Sequence, residues 1–368
     1  MRIEAAVTRS PTDPMTIEEI ELEEPRPNEV LVRIVGTGVC HTDMVMKGQG
    51  LPTPQPVVLG HEGSGVVERV GQEVTNVEVG DHVTMSFNSC GRCPSCTDDA
   101  PSYCYAFFPL NFLGARIDGS TPLSKGEEVI HGNIFGQSSF ATHAICNQRN
   151  VVKVDKDVDL YLLGPLGCGI LTGAGAVFNS LAVKEKSTVA VFGTGAVGLS
   201  AIMAAKVAGA RAIIAVDLNA ERLTLATQLG ATHTINPSES DIGESLQKIC
   251  QGGVDFAIDT TANMTVMNAA VANLAPRGSC GLIGATAPGV EINIDINHLM
   301  GGGRKIQGIV EGGADPAQLI PELVSLYKHG KFPFDKLISF YDFKDINQAF
   351  ADAASGAAIK PVLRIGTI

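Results

Sequence analysis

A chain of 368 residues is longer than one hydrophobic core ordinarily serves, so two domains are expected. Apolar residues make up 45% of it, which excludes a disordered chain. A net charge of −12, the absence of tryptophan and an aromatic content of only 5% argue against a nucleic-acid partner, because such a surface repels phosphates.

Met1-Arg2-Ile3-Glu4 opens no apolar run of the kind that marks secretion, so a cytoplasmic location is expected. In that setting thiols stay reduced, and the nine cysteines read as metal ligands or core residues rather than disulfides. Glu29 to Val35 alternates and is β-branched, and Gly65 to Gly71 is a second strand bounded by glycines. Turn residues such as Pro25-Arg26-Pro27-Asn28 and Gly80-Asp81 punctuate the region, which predicts a mostly β domain with long loops.

Cys90, Cys93, Cys96 and Cys104 follow within that β region as C-x2-C-x2-C-x7-C. Four thiolates so spaced can close a tetrahedral shell around one Zn²⁺ and leave no position for water, which makes a structural site. A free-cysteine loop and an iron–sulfur site are the alternatives, and the last spacing does not suit the usual ferredoxin runs. Cys40 in Cys40-His41-Thr42-Asp43, His61 in Gly60-His61-Glu62-Gly63 and Cys168 in Gly167-Cys168-Gly169 form a second set. Two thiolates and one imidazole with an open fourth position suit a catalytic zinc, although spacing does not show that the three meet. Cys146, Cys250 and Cys280 lack ligand spacing and read as core.

Past Gly169 the texture changes. Thr188 to Phe192 predicts a buried strand, Val197 to Ala208 a helix, Ala212 to Val216 a strand and Ala220 to Leu229 a helix. Phe256 to Asp259, a helix from Val266 to Leu274 and Gly278 to Ile283 continue the rhythm, which predicts a doubly wound parallel sheet. The uncharged stretch Val189 to Ala205 is a buried strand and helix in this reading, not a membrane span. Glu291 to Asn297 alternates strictly and predicts a strand with three isoleucines on one face, a sheet edge that needs cover. An amphipathic helix from Ala317 to His329, a further short helix and a strand from Pro361 to Ile365 complete the chain. The expected division is 1–169, 170–309 and a returning segment 310–368.

Gly193-Thr194-Gly195-Ala196-Val197-Gly198 matches G-x-G-x-x-G between a strand and a helix, and Asp217 ends the next strand at the expected offset. The glycines let a pyrophosphate approach the helix N-terminus, and Asp217 accepts from ribose hydroxyls while repelling a 2′-phosphate. NAD is therefore expected over NADP, with Arg222 the nearest cation.

In order and spacing the Cys40, Thr42 and Asp43 group, the Gly60-His61-Glu62-Gly63 turn, Gly80-Asp81-His82-Val83, the four-cysteine loop, Cys168 and the glycine motif resemble the zinc-containing medium-chain alcohol dehydrogenase family. The resemblance covers essentially the whole chain. It implies an α/β protein with a GroES-like, mostly β catalytic domain plus a Rossmann coenzyme domain, two zinc ions per chain and NAD. Cys40, His61 and Cys168 would hold the catalytic zinc and Cys90, Cys93, Cys96 and Cys104 the structural one. Glu62 would lie behind the metal, Asp43 would fix the His61 tautomer and Thr42 would accept the substrate hydroxyl proton. His41 and Lys360 resemble groups on the pyrophosphate, and Thr172, Val197, Ile283 and Ala285 resemble nicotinamide-lining positions. Where many members carry a relay histidine this chain has Val45, so the proton must leave through bulk water or by way of His41.

Asn111 to Ser120 and Gly308 to Gly312 resemble aryl-alcohol (benzyl alcohol) dehydrogenases, with Phe87, Phe107, Phe108, Phe112, Ile309 and Val310 as candidate pocket walls. The expected reaction is reversible, NAD-linked oxidation of a primary aromatic alcohol to its aldehyde. Oxidation of S-(hydroxymethyl)glutathione is a rival that needs cations for the substrate carboxylates, for which Arg116 is the candidate. A broad primary-alcohol dehydrogenase and a zinc-less nucleotide-binding relative are further rivals. Members of the family pair their coenzyme domains, so a homodimer or homotetramer is expected.

Overall fold

A β-branched run that is buried along almost its whole length, with only Arg33 partly exposed, makes the central strand of the first unit. In the computed structural model, which describes residues 1–287 and 289–367, this strand runs Glu29–Gly38. It pairs antiparallel with Gly63–Val70, His143–Asn147 and Lys360–Arg364. His82–Met85, Val151–Lys153 and Ile338–Asp342 extend the sheet to seven strands. Val30, Val32, Ile34, Val67, Val83 and Met85 are buried together against Cys146 and Val151, so Cys146 is a core residue. A second, five-stranded sheet contains Arg2–Thr8 and Thr16–Leu22.

The other unit is the expected parallel sheet. Its order is His233–Ile235, Ala212–Val216, Thr188–Phe192, Val254–Asp259, Leu274–Leu282 and Lys305–Gly308, with every pairing parallel. Chain order therefore reverses between Thr188–Phe192 and Val254–Asp259, which is where a doubly wound sheet opens a crevice at its carboxyl edge. Cys250 and Cys280 are buried in its core with Ile214, Val254 and Leu274. The helix Ala196–Val207 buries Leu199, Ile202, Met203 and their neighbours inside this unit, which explains the uncharged stretch. No single helix among the described residues is long and apolar enough to cross a membrane.

Two differences from the sequence reading stand out. Met1–Cys168, Asp315–Ser325 and Asp335–Ile368 form one compact unit, and Gly169–Ala314 with Leu326–Phe334 form the other, so the returning segment is not wholly on the first side. Glu291 to Asn297 is not a strand. Asp295 instead caps the helix Ile296–Gly302 by accepting from Asn297 N at 2.8 Å and His298 N at 3.3 Å. Ile294 packs on the parallel-sheet core whereas Ile296 is exposed, so the isoleucines do not share one buried face.

Candidate functional site

Strand register brings the second ligand set together. Thr37 pairs with Gly63, so the chain leaving Glu29–Gly38 toward Cys40 lies beside the chain entering Gly63–Val70 from His61 and Glu62. Cys168 arrives on a turn whose Gly167 carbonyl accepts from Ser86 Oγ at 2.6 Å, just past the end of His82–Met85. One ligand atom each from Cys40, His61, Glu62 and Cys168 then falls within 4.8 Å of the others. Cys40, His61 and Cys168, spread over 128 positions of the chain, thus converge, which spacing alone did not establish.

Asp43, fully buried, organises this set. Its Oδ1 lies 2.9 Å from His61 Nδ1 and accepts from Gly60 N at 3.2 Å, and its Oδ2 accepts from Cys40 N at 3.0 Å. Burial disfavours the charged ring, but Asp43 and Cys40 outweigh it and hold the His61 pKa well above its ordinary range. In the neutral ring that donates from Nδ1 to Asp43, Nε2 carries the lone pair, and this buried atom has no partner in hydrogen-bond geometry among the described residues. A buried orphan acceptor is costly unless something completes it. Two thiols and that nitrogen form the donor set a zinc ion accepts, and the site's chemistry fits the metal. Hydrogen bonding to Cys168, with help from Lys360 and His61, holds the Cys40 thiol well below its ordinary range against the effect of burial. Thr42 Oγ1 lies 4.0 Å from Cys40 Sγ, on the same helix His41–Lys47 as exposed His41 and half-buried Val45.

Lys360 departs from its expected place. The ammonium is buried, with Nζ 2.8 Å from both Glu62 carboxylate oxygens and 3.3 Å from the Val39 carbonyl, so it neutralises Glu62 rather than standing open to a pyrophosphate. Burial disfavours this ammonium, but Glu62 and Cys40 outweigh it and raise its pKa. Room for the pair comes from Gly38, where a Cβ would collide with the Glu62 carboxylate. Neither Gly38 nor the Glu62–Lys360 pair was foreseen; Gly38 ends a strand and gives no local signal.

The four cysteines of the loop meet as well. Sγ atoms of Cys90 and Cys96 are 3.9 Å apart and those of Cys93 and Cys104 are 4.0 Å apart, with all four within 4.8 Å of one another. Tetrahedral coordination at ~2.3 Å per Zn–S bond needs S···S distances of roughly 3.8 Å, so the shell fits. All nine cysteines are free of disulfides. Backbone N–H groups donate into the cluster, from Cys90 to Cys104 Sγ at 3.3 Å, from Tyr105 to Cys93 Sγ at 3.4 Å and from Ala106 to Cys104 Sγ at 3.4 Å. The Tyr105 N–H leads the effects that lower the Cys93 thiol to about 6, whereas burial pushes the Cys104 thiol up to about 12.

An aromatic group borders the His61 site within the same unit. Phe135 stacks on the His61 ring at 4.5 Å, Phe112 meets Phe135 edge-on at 5.0 Å, and Phe107 links Phe112 to Phe87. Phe108, half exposed, stacks on Phe112 at 5.3 Å. Phe87, Phe107, Phe108 and Phe112 were anticipated from the sequence, whereas Phe135 was not. Arg116 donates to both Glu29 carboxylate oxygens at 2.6 and 2.9 Å and to Glu23 at 3.0 Å, so this candidate cation for a glutathione adduct is already engaged.

In the parallel-sheet unit the glycine motif sits at the carboxyl end of Thr188–Phe192. A Cβ on Gly198 would collide with the Gly193 carbonyl, so only glycine lets this helix start close against the loop. Asp217 ends Ala212–Val216 and accepts from Thr194 N and Thr194 Oγ1, both at 2.7 Å, through Oδ2, and from Asn219 N at 2.9 Å through Oδ1. Arg222 is in the first turn of Ala220–Leu229, and Val197 in the first turn of Ala196–Val207. Thr172 Oγ1 donates to buried Glu311 at 3.4 Å, and Ile283 and Ala285 follow the strand Leu274–Leu282. These cofactor candidates share one unit; His41 and Lys360 belong to the other.

Two family models match this chain. That of the alcohol dehydrogenase GroES-like domain matches residues 26–156, and that of the zinc-binding dehydrogenase matches 196–327. A geraniol dehydrogenase of Castellaniella defragrans is 44% identical over 362 residues, covering 98% of this chain and 97% of the relative. The crystal structure of an alcohol dehydrogenase zinc-binding domain protein from Burkholderia ambifaria is 49% identical, with a TM-score of 0.98 over 100% of both chains. That of benzyl alcohol dehydrogenase from Acinetobacter calcoaceticus is 46% identical, with a TM-score of 0.97 over 100% of both chains. Full-length identity at this level bears out the resemblance read from the motifs: the chain belongs to the zinc-containing medium-chain alcohol dehydrogenase family.

Proposed function

We propose that this alcohol dehydrogenase oxidises primary alcohols whose carbinol carbon adjoins an unsaturated group, benzyl-type alcohols first, with NAD as hydride acceptor. The observation that carries the catalytic reading is the buried, unpartnered Nε2 of His61 among the thiols of Cys40 and Cys168. Those three would hold a catalytic zinc, and Cys90, Cys93, Cys96 and Cys104 a structural one, giving two per chain. When bound, the catalytic metal supplies Lewis-acid stabilisation of developing negative charge on a hydroxyl oxygen.

Asp43 keeps the His61 tautomer and ties Cys40 to it through one carboxylate. Thr42, on the first turn after Cys40, accepts the substrate hydroxyl proton at Oγ1. Val45 cannot pass that proton on, so it leaves through solvent at exposed His41. Buried Lys360 compensates Glu62 close to the ligand set and keeps a second negative charge from competing with the two thiolates. Asp217 selects NAD, being a fixed anion at the ribose end of the glycine loop with Arg222 one helical turn on.

The partly exposed aromatic group of Phe107, Phe108 and Phe112 supports an unsaturated substrate, because flat π faces pack against rings and allylic carbons alike. The relative named for geraniol favours an allylic alcohol as a second reading, and the one named for benzyl alcohol favours the first. A glutathione adduct loses its support because Arg116 is held by Glu29 and Glu23. Homo-oligomeric assembly, a small-molecule alcohol or aldehyde as ligand and a cytoplasmic location complete the reading. Exposed Ile296 and Met300, on the helix that precedes the edge strand Lys305–Gly308 in the chain, support the assembly.

Steady-state kcat/KM for benzyl alcohol, geraniol, ethanol and S-(hydroxymethyl)glutathione on protein of known zinc content tests it. Benzyl alcohol should exceed ethanol by about 100-fold or more, equivalent to roughly 2.7 kcal/mol of transition-state binding. Equal values for ethanol and benzyl alcohol would sink the substrate reading, and a higher value for geraniol would select the allylic one.

A further inference from the structure

One hydrogen bond does not fix an imidazole. Asp43 holds His61 at Nδ1, yet the ring remains able to tilt about its Cβ–Cγ bond, a torsion that is broad for histidine. Any tilt swings Nε2 away from the thiols of Cys40 and Cys168. What opposes it is the face of Phe135, stacked on the imidazole with ring centroids 4.5 Å apart and planes 25° apart, both rings buried. We propose that Phe135 is a positioning residue for the catalytic metal, holding the plane of His61 so that Nε2 stays on the ligand locus. The inference rests on the reading of Cys40, His61 and Cys168 as a zinc site.

The chain around Phe135 is built to keep that ring in place. Asn133, Phe135 and Ser138 all have positive φ, at 63°, 50° and 56°. For a residue as bulky as phenylalanine this conformation is unfavourable and persists only where the surroundings impose it. The surroundings are hydrogen bonds to the same backbone that carries His61. Gln137 donates from Nε2 to the His61 carbonyl at 2.9 Å and accepts from Gly63 N at 3.0 Å. Ser138 Oγ donates to the Val58 carbonyl at 2.7 Å, Ser139 N to the Gly60 carbonyl at 2.9 Å, and Phe140 N to the Leu59 carbonyl at 3.0 Å. Asn150 Nδ2 donates to the Phe135 carbonyl itself at 2.8 Å. Segment 133–140 therefore grips the backbone from Val58 to Gly63 on one side and the His61 ring on the other.

Behind Phe135 the packing continues. Phe112 and Phe107 meet Phe135 in T-shaped contacts with centroids 5.0 and 6.5 Å away, so the ring cannot retreat from His61 without displacing the aromatic wall. Simple core filling would need a residue of this volume but neither the stacking geometry nor the unfavourable backbone. A leucine or methionine fills similar space without a flat face.

The test uses the zinc-loaded full-length protein and reads metal release to a chromogenic chelator, which the two sites should show as two phases. Phe135→Leu and Phe135→Met should speed release of the catalytic zinc about tenfold while the four-cysteine zinc leaves at its wild-type rate. Phe135→Tyr, which keeps the ring face, should stay within about twofold of wild type. Cobalt placed in the catalytic site should show a changed visible spectrum in the leucine variant and an unchanged one in the tyrosine variant. Wild-type release and spectrum in both the leucine and the methionine variants would overturn the inference while leaving the zinc reading standing. A wild-type protein with only the four-cysteine metal would overturn both. Should Phe135→Leu also lose the four-cysteine zinc through misfolding, the methionine and tyrosine variants decide, by whether the phases separate according to the aromatic face.

Discussion

Asp43 serves three groups with two oxygens, the His61 ring and the backbone N–H groups of Gly60 and Cys40. Asparagine in its place keeps one acceptor oxygen but turns an N–H₂ group toward the Cys40 N–H or the His61 ring, where a donor faces a donor. The negative charge that strengthens His61 as a ligand is lost as well. Groups in this outer position typically change metal affinity 10–100-fold. Asp43→Asn is therefore expected to weaken the catalytic zinc by about tenfold or more, with kcat/KM falling at least as far and the four-cysteine zinc untouched. Competition with a zinc chelator measures it, and an unchanged affinity at the catalytic site would refute the role given to Asp43.

At the scale of elements, the four-cysteine loop has little apolar core, since Tyr103 and the neighbouring Tyr105 and Phe108 are exposed and its order is confined to the short turns Pro94–Thr97 and Pro101–Tyr103. Its order depends on what the thiolates share. Cys93→Ala should leave one zinc per chain instead of two and cost about 4 kcal/mol or more, as loss of a structural metal does. Metal analysis and a thermal unfolding curve check both parts, and two retained zincs would contradict the assignment. This loop was legible because its ligands are local: fifteen residues hold the whole shell. The buried strands were legible for the same reason, through β-branched runs such as Thr188–Phe192. Alternation misled at Glu291 to Asn297, where the pattern of a strand coincides with an Asp295 cap, and the cap prevails because its two N–H partners are satisfied at once. Phe135 and Gln137 left no trace in the sequence, since their partners at His61 and Gly63 lie more than seventy positions away. Lys360 was singled out through the family resemblance as a pyrophosphate group, but its partner Glu62 is 298 positions distant and spacing could not supply it.

Across the whole molecule, chemistry is divided between two units of different design. Both candidate metal sites, Thr42 and the aromatic group lie in the unit containing Met1–Cys168, whereas the glycine loop and Asp217 lie in the parallel-sheet unit containing Gly169–Ala314. A ligand that binds one unit of the folded chain and not the unfolded one stabilises it by mass action, by about 2.7 kcal/mol at 100 times its Kd. NAD should accordingly slow amide exchange in the glycine loop Gly193 to Gly198 and around Asp217 and Asn219, the segments proposed to take the pyrophosphate and ribose. NADP at the same concentration should protect less, because Asp217 is pinned by Thr194 and Asn219 and cannot turn away from a 2′-phosphate. Asp217→Asn removes that repulsion while keeping an acceptor for Thr194, and should narrow the difference between the two nucleotides about tenfold or more, roughly the 1.4 kcal/mol of one close like-charge contact. Hydrogen exchange with each nucleotide, paired with Kd values for wild type and Asp217→Asn, gives the outcome. Equal protection by NAD and NADP in the wild type, or a variant with unchanged preference, would mean that the ribose end is read by some group other than Asp217.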